Sequence, residues 1–545
     1  MYLCTAIDER MKHYLKKLED QIHQRTNLPA LCDYQGESYT YGQLATFIEQ
    51  YNRFFRAAGV RKGDKIALCA RNSARWASLF LAVNVYEAVI VPILPNYTAE
   101  GIAQLIRHSD SVLLFTDRDL WEQLKQQNLP KVRGVVDAKE ERLFWSSDSQ
   151  VEKAWKEKGS KGFNPKKVTY PDHMDKVAII NYTSGTSGDP KGVMLTYGAM
   201  SDVVENCQRL IHNEPDSILS MLPLSHIYGL AMEFVYPCCT GFTITFLGKA
   251  PSPSLLLKAM QEVKPLVVIT VPLIMEKIHA TYIKPHLSSR PAKAISTMPY
   301  VRLAYYKSLG QKVMELFGGR VKTMVIGGAP LSWKVESDLK KIGLPYVVGY
   351  GLTEGCPLLS IDTPDAFAPG SSGKAIHEIR IASSDPERIP GEIQSRGPNL
   401  FVGYYKNPEA DAAAHTEDGW FRTGDLGVMD FEGNIFIRGR IKALILSASG
   451  QNIYPEEVEQ ELSHHPMVEE SLVLDRSGKI IALVYPKSGV IPNVTKEEDL
   501  QAICDEIRNV TNKHLPPFSQ IFRVELVDVP FERTAKGTIK RHLYQ

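Results

Sequence analysis

Apolar and polar positions follow two different periods along the chain. From Asp8 to His23 the apolar residues Met11, Leu15, Leu18 and Ile22 recur at helical spacing, with Lys12, Lys16 and Lys17 elsewhere. That reads as an amphipathic helix covering a core, and a helix lying on a lipid surface is the alternative. Lys65–Leu68, Val177–Tyr182, Val267–Val271 and Val321–Ile326 are instead short apolar runs, the pattern of strands buried on both faces. Helical and extended patterns alternate through most of the chain, which predicts an α/β fold of helix-covered, mostly parallel sheets.

Two stretches need separate treatment. From Ile218 to Gly248 the only acidic or basic side chains are His226 and Glu233. Pro223, Gly229, Pro237 and Gly241 divide this stretch, leaving no run of the ~20 apolar residues that a membrane span needs, so it reads as buried strands and a helix. Between Gly373 and Arg438 the extended pieces are short and Gly391, Gly397, Pro398, Gly403, Gly424 and Gly433 punctuate them, which predicts a small β-rich subdomain over about 373–438.

The last hundred or so residues read as a separate α+β unit. Pro455 opens a helix with Glu456 and Glu457 in its first turn and Val458 and Leu462 on one face. Leu472–Leu474 and Ile480–Val484 flank Asp475–Lys479 as a hairpin. A boundary near Arg440–Lys442 follows, dividing the chain into 1–439 and 440–545.

Length and charge agree with this and narrow the function classes. The 545 residues are 44% hydrophobic and 23% charged with a net charge of +1, a globular composition long enough for several domains. Near-neutral charge without a Lys/Arg stripe gives no reason to expect nucleic acid. The eight cysteines form no CxxC pair and no zinc spacing, which fits a reduced, cytoplasmic protein.

The strongest chemical signal is Tyr182-Thr-Ser-Gly-Thr-Ser-Gly-Asp-Pro-Lys-Gly192, directly after an apolar strand. The small residues Thr183, Ser184, Gly185, Thr186, Ser187 and Gly188 let the backbone approach a ligand closely. Their N–H groups and hydroxyls are donors for anionic oxygens, and Lys191 adds a positive charge. It is not a Walker A loop, because Lys191 lies between Pro190 and Gly192 rather than in Gly-Lys-Ser/Thr.

This segment resembles the phosphate loop of the adenylate-forming superfamily: acyl-CoA synthetases, adenylation domains and luciferases. Further motifs follow in that family's order over nearly the whole chain. Gly349-Tyr-Gly-Leu-Thr-Glu354 is similar to its adenine and metal motif, and Gly419-Trp-Phe-Arg-Thr-Gly-Asp425 to its ribose motif. Gly439-Arg-Ile-Lys442 and Ser449-Gly-Gln-Asn-Ile-Tyr-Pro455 resemble its hinge and thiol-side loop. Pro223-Leu-Ser-His-Ile-Tyr-Gly229 is similar to a wall of its acid pocket. The stretches Pro251–Ser254, Val263–Pro265 and Gly397–Asn407 look most like bacterial long-chain fatty acyl-CoA synthetases.

The resemblance implies a ligase that uses ATP, Mg²⁺ and CoA to activate a fatty acid as acyl-AMP and pass it to a thiol. A carboxylate is a poor electrophile and is repelled by a triphosphate, so Lys191 and a Mg²⁺ on Glu354 would offset that repulsion. Thr353 would bond the α-phosphate, and Asp425 the ribose hydroxyls. Tyr350 between Gly349 and Gly351 would stack on adenine against the Gly328–Ala329 turn, and His226 would guide the substrate carboxylate. Arg440 would contact the nucleotide and Lys442 would be the pivot about which a mobile C-terminal domain rotates. Gly450, within Ser449–Asn452, would line the thiol channel.

One position departs from the family. Its Thr-x-x-Gly-Lys motif reads here Thr534-Ala-Lys-Gly-Thr538, which leaves Lys536, the first candidate, and Lys540 as alternatives for the catalytic lysine. The thiol acceptor also stays open between free CoA and an acyl carrier protein, with free CoA favoured because no carrier domain is attached. A non-catalytic acyl- or nucleotide-binding relative is a further alternative, against which Lys191, Glu354 and Asp425 argue. A Gly-x-Ser-x-Gly hydrolase is excluded by the lack of that motif. Contact with a membrane would be peripheral at most.

Overall fold

The computed structural model describes residues 11–183, 190–212, 214–249, 252–289, 299–446, 452–476, 478–487, 497–533 and 539–544. The chain divides into two compact units, Met1–Glu378 with Arg396–Trp420, and Ile379–Ser395 with Phe421–Gln545.

Two sheets organise the first unit. One has seven strands in the order Tyr346–Val348, Thr323–Ile326, Val267–Thr270, Ser217–Ser220, Thr243–Phe246, Pro29–Asp33 and Ser38–Thr40. Every neighbouring pair in it is parallel except the last. The other has eight strands, Gly403–Tyr404, Lys191–Thr196, Val177–Thr183, Val89–Pro92, Lys65–Cys69, Ser111–Thr116, Gly134–Asp137 and Leu143–Ser146. It is parallel through its middle and antiparallel at both edges. Strands such as Val267–Thr270 and Thr323–Ile326 are buried at every residue, which is why they read as mostly apolar runs. The expected α/β class is what the chain adopts.

Strand ends differ from the sequence expectation by a residue or two. Val267–Thr270 stops where Thr270 pairs with Ile326, so cross-strand hydrogen bonding and not hydrophobicity sets the end. The N-terminal helix is Tyr14–Gln24, with Leu15, Leu18 and Ile22 buried, so its apolar face covers the core. The stretch from Ile218 to Gly248 forms strand, helical turns and strand: Ser217–Ser220, residues 227–239 and Thr243–Phe246. Among the described residues no helix is long and apolar enough to cross a membrane.

The second unit carries a four-stranded sheet, Glu378–Ala382, Gly391–Arg396, Phe421–Met429 and Ile435–Arg440. The β-rich segment expected over about 373–438 is therefore real as a sheet, while residues 396–420 within it pack with the first unit. A three-stranded sheet, Val468–Arg476, Lys479–Pro486 and Arg523–Leu526, follows. The helices Pro455–Ser463 and Glu497–Asn512 pack on it through Val458, Leu462 and Ile507. The hairpin ladder continues to Arg476 and Lys479, leaving a tighter connection than the five-residue one expected. Gly478, at φ 74°, accommodates it.

Candidate active site

Parallel strands place the loops that follow them at one edge of a sheet, where ligands of open α/β folds bind. In the seven-stranded sheet the loops after Ser217–Ser220, Thr323–Ile326 and Tyr346–Val348 are 221–226, 327–329 and 349–354. These hold the acid-pocket, adenine-turn and adenine/metal motifs. They are stitched together. The Tyr228 hydroxyl donates to the carbonyls of Thr270 at 3.2 Å and Val325 at 3.4 Å. Gly327 donates its N–H to the Thr270 carbonyl at 3.1 Å, and Gly349 to the Ile326 carbonyl at 3.0 Å.

The glycines have local reasons. A Cβ on Gly351 would lie 1.6 Å from the Pro357 carbonyl oxygen, so only glycine lets these two segments meet. Gly328 sits at φ 86°, turning the exposed Gly328–Ala329 corner away from the buried strand. Tyr350 is half-buried, and its backbone bridges to Ser360.

The phosphate-loop hairpin lies in the other sheet of the same unit. Val177–Thr183 pairs with Lys191–Thr196, and Thr183 stands opposite Lys191 at the mouth of the hairpin. Ser184, Gly185, Thr186, Ser187 and Gly188 lie outside the described residues. The short strand Gly403–Tyr404 pairs with Met194 and Val193 on its open side. Its Tyr404 hydroxyl donates to Glu354 Oε1 at 2.8 Å, and the Lys191 ammonium sits 4.9 Å from the Tyr404 ring centroid. Burial and the neighbouring Glu354 carboxylate push the Tyr404 phenol well above its ordinary range. Thr353, buried, and Glu354 share one tight turn, and the Glu354 carbonyl accepts the Phe401 N–H at 2.8 Å.

His226 is held from two directions. Asn181, two residues before Thr183, donates its side-chain amide to the Ser225 carbonyl at 3.0 Å. The His226 Nδ1 accepts the Tyr228 N–H at 3.2 Å, which in the neutral ring puts the proton on Nε2. The loop's root is fastened by Glu233, which lies wholly inside the protein. Its Oε2 accepts from the Ser220 hydroxyl at 3.0 Å and from the N–H groups of Met221 and Leu222 at 3.0 and 2.9 Å. Burial pushes this carboxyl well above the usual range.

Other candidates fall in the second unit. Asp425 and Arg440 are direct cross-strand partners, and the guanidinium Nε meets Asp425 Oδ1 at 2.7 Å. Lys442 is exposed on the turn Ile441–Ala443. Lys540 pairs with Glu532 at 3.2 Å. Gly450, Lys536 and Thr538 lie outside the described residues.

The AMP-binding enzyme family profile matches residues 18–405, and the AMP-binding enzyme C-terminal domain profile matches residues 442–545. The chain belongs to the AMP-binding enzyme family. It is one of the adenylate-forming CoA ligases and their kin. It is 28% identical over 452 residues to the long-chain-fatty-acid–CoA ligase FadD15 of Mycobacterium bovis, covering 76% of this chain and 72% of that one. It is 28% identical over 527 residues to the oxalate–CoA ligase of Arabidopsis thaliana, covering 92% of each. The long-chain-fatty-acid–[acyl-carrier-protein] ligase AEE15 of Arabidopsis thaliana is 26% identical over 585 residues, covering 90% and 78%. The anthranilate CoA ligase AuaEII, solved with anthranoyl-AMP, shares the fold with a TM-score of 0.78 at 19% identity, covering 98% and 97%.

Tyr404 and Glu233 were not singled out by their sequence context. Nothing local separates Tyr404 from Tyr405, whereas a lone acid in an apolar run, as Glu233 is, had to be neutral or well bonded. The upward shift of this carboxyl has a testable sign. A raised folded-state pKa makes burial of Glu233 increasingly unfavourable as pH rises above the unfolded value of about 4.3. The thermal midpoint of Glu233→Gln should therefore gain on the parent between pH 4.5 and 8. A difference that stays constant over that range would mean that Glu233 is charged throughout.

Proposed function

We propose that this AMP-binding enzyme is an ATP-dependent fatty acid:CoA ligase that forms acyl-AMP with release of pyrophosphate and then transfers the acyl group to CoA. The observation that carries the reading is the meeting of Lys191, Glu354 and Tyr404 in the unit that also presents the Gly328–Ala329 and His226 loops. Lys191 neutralises the departing pyrophosphate, Thr353 bonds the α-phosphate, and Tyr350 with Gly349 and Gly351 packs on adenine. His226 presents its Nε2–H to the acid carboxylate.

The donors fit Mg²⁺. Glu354 is a single carboxylate, and the described residues contain no group of three or more His, Cys, Asp or Glu side chains able to hold a metal. Mg²⁺ is commonly held by one or two carboxylates together with substrate phosphates, and there it supplies charge that offsets the triphosphate.

In the second unit Asp425 receives the ribose hydroxyls, in place of part of its pairing with Arg440, and Arg440 turns to the phosphates. Residues 440–545 rotate about Lys442 between the half-reactions, bringing Lys536 to the first and the Gly450 loop to the second. Support for a long-chain acid comes from the FadD15 relative and from the Gly397–Asn407 segment. A carrier-protein thiol as acceptor is the second reading, supported by the AEE15 relative.

Acids of increasing length, supplied with Mg²⁺-ATP and with or without CoA, test the reading. Pyrophosphate and AMP should appear, with CoA consumed; ADP and phosphate would mean attack at the γ-phosphate and overturn it. Glu354→Gln keeps the shape but loses the charge, so pyrophosphate release should fall by at least ~10². Unchanged release would remove Glu354 from the metal role.

A further inference from the structure

We infer that Tyr404 is a positioning residue that holds Glu354 and Lys191 in register for the nucleotide, an inference that rests on the nucleotide roles proposed above for those two side chains. One short segment ties both motifs together at the level of the backbone. Gly403 and Tyr404 pair with Met194 and Val193, and the Tyr405 N–H donates to the Gly192 carbonyl at 2.7 Å, next to Lys191. Three residues earlier, Phe401 donates to the Glu354 carbonyl at 2.8 Å, and the buried Asn399 amide donates to the Leu358 carbonyl at 2.7 Å. The segment is itself pinned, since Asp411 Oδ1 accepts the Tyr404 N–H at 2.5 Å.

The Tyr404 side chain then touches both functional groups by different physics. Its ring face is offered to the Lys191 ammonium at 4.9 Å, a cation–π contact, and its hydroxyl donates to Glu354 Oε1 at 2.8 Å. Among the described residues Lys191 and Glu354 form no direct ion pair, although they share this neighbour. A direct pair would have to be broken before either could meet a phosphate or a metal. The phenol gives each a weaker partner that a ligand can displace, and by bonding Oε1 it leaves Oε2 for the metal.

The test uses the full-length protein with ATP and Mg²⁺ alone, so that no acid need be chosen. ATP binding is measured by calorimetry in EDTA and at rising free Mg²⁺. Tyr404→Phe keeps the ring against Lys191 and removes only the donor to Glu354. It should bind ATP in EDTA as the parent does, while needing about tenfold more Mg²⁺ for the same enhancement, the scale of a lost hydrogen bond to a charged group. Tyr404→Leu removes the ring as well and should also weaken binding in EDTA, by roughly threefold or more for a lost cation–π contact. A defect that is merely structural would lower binding equally with and without Mg²⁺. Glu354→Gln run alongside separates the two levels. If it loses the Mg²⁺ enhancement while Tyr404→Phe keeps the parent's Mg²⁺ requirement, the positioning role alone is overturned. If Glu354→Gln keeps the full enhancement, the metal role of Glu354 falls, and the role of Tyr404 falls with it.

Discussion

Parallel strand pairing is the constraint on which the first unit's site depends. Because Ser217–Ser220, Val267–Thr270, Thr323–Ile326 and Tyr346–Val348 all run the same way, the loops that follow them emerge at one edge of the sheet. A single antiparallel strand in that set would send its loop to the opposite edge. The cost of the arrangement is that the sheet must be covered on both faces, and the middles of its strands, such as Ile218–Leu219 and Met324–Val325, are buried and apolar as a result. The loops are then free to carry polar residues and glycines without compromising the core, and Tyr228 fastens them to the strands beneath.

Charge is the second constraint. The adenylate-forming reaction joins two anions, so the site needs positive charge near the phosphates and a carboxylate for a divalent cation, without letting these neutralise one another beforehand. Tyr404 supplies the separation, with an ammonium against its face and a carboxylate on its hydroxyl. Glu233 illustrates the opposite solution nearby. Complete burial pushes that carboxyl well above its usual pKa, and it serves as an acceptor for Ser220, Met221 and Leu222.

The sequence made the fold class and the motif positions readable because both rest on local patterns. Buried strands such as Val177–Thr183 announce themselves by continuous hydrophobicity, and Gly351 is required by a contact no side chain would tolerate. What the sequence hid is long-range. Tyr404 lies 50 residues from Glu354, and only the pairing of Gly403–Tyr404 against Lys191–Thr196 brings their side chains together. The segment 396–420 likewise packs with the first unit although its neighbours on both sides belong to the second, a division that no change in composition marks. Asp425 and Arg440 were each found by motif, but their 2.7 Å pairing follows from register alone.

In the proposed reaction a carboxylate oxygen of the acid attacks the α-phosphorus of ATP. Oxygen labelling tests it most directly. The acid that gives the fastest AMP formation is supplied with ¹⁸O in both carboxylate positions, and the products formed in the presence of CoA are weighed by mass spectrometry. Attack at the α-phosphorus should give AMP carrying one ¹⁸O per turnover and unlabelled pyrophosphate. Unlabelled AMP, or label in pyrophosphate or phosphate, would contradict it.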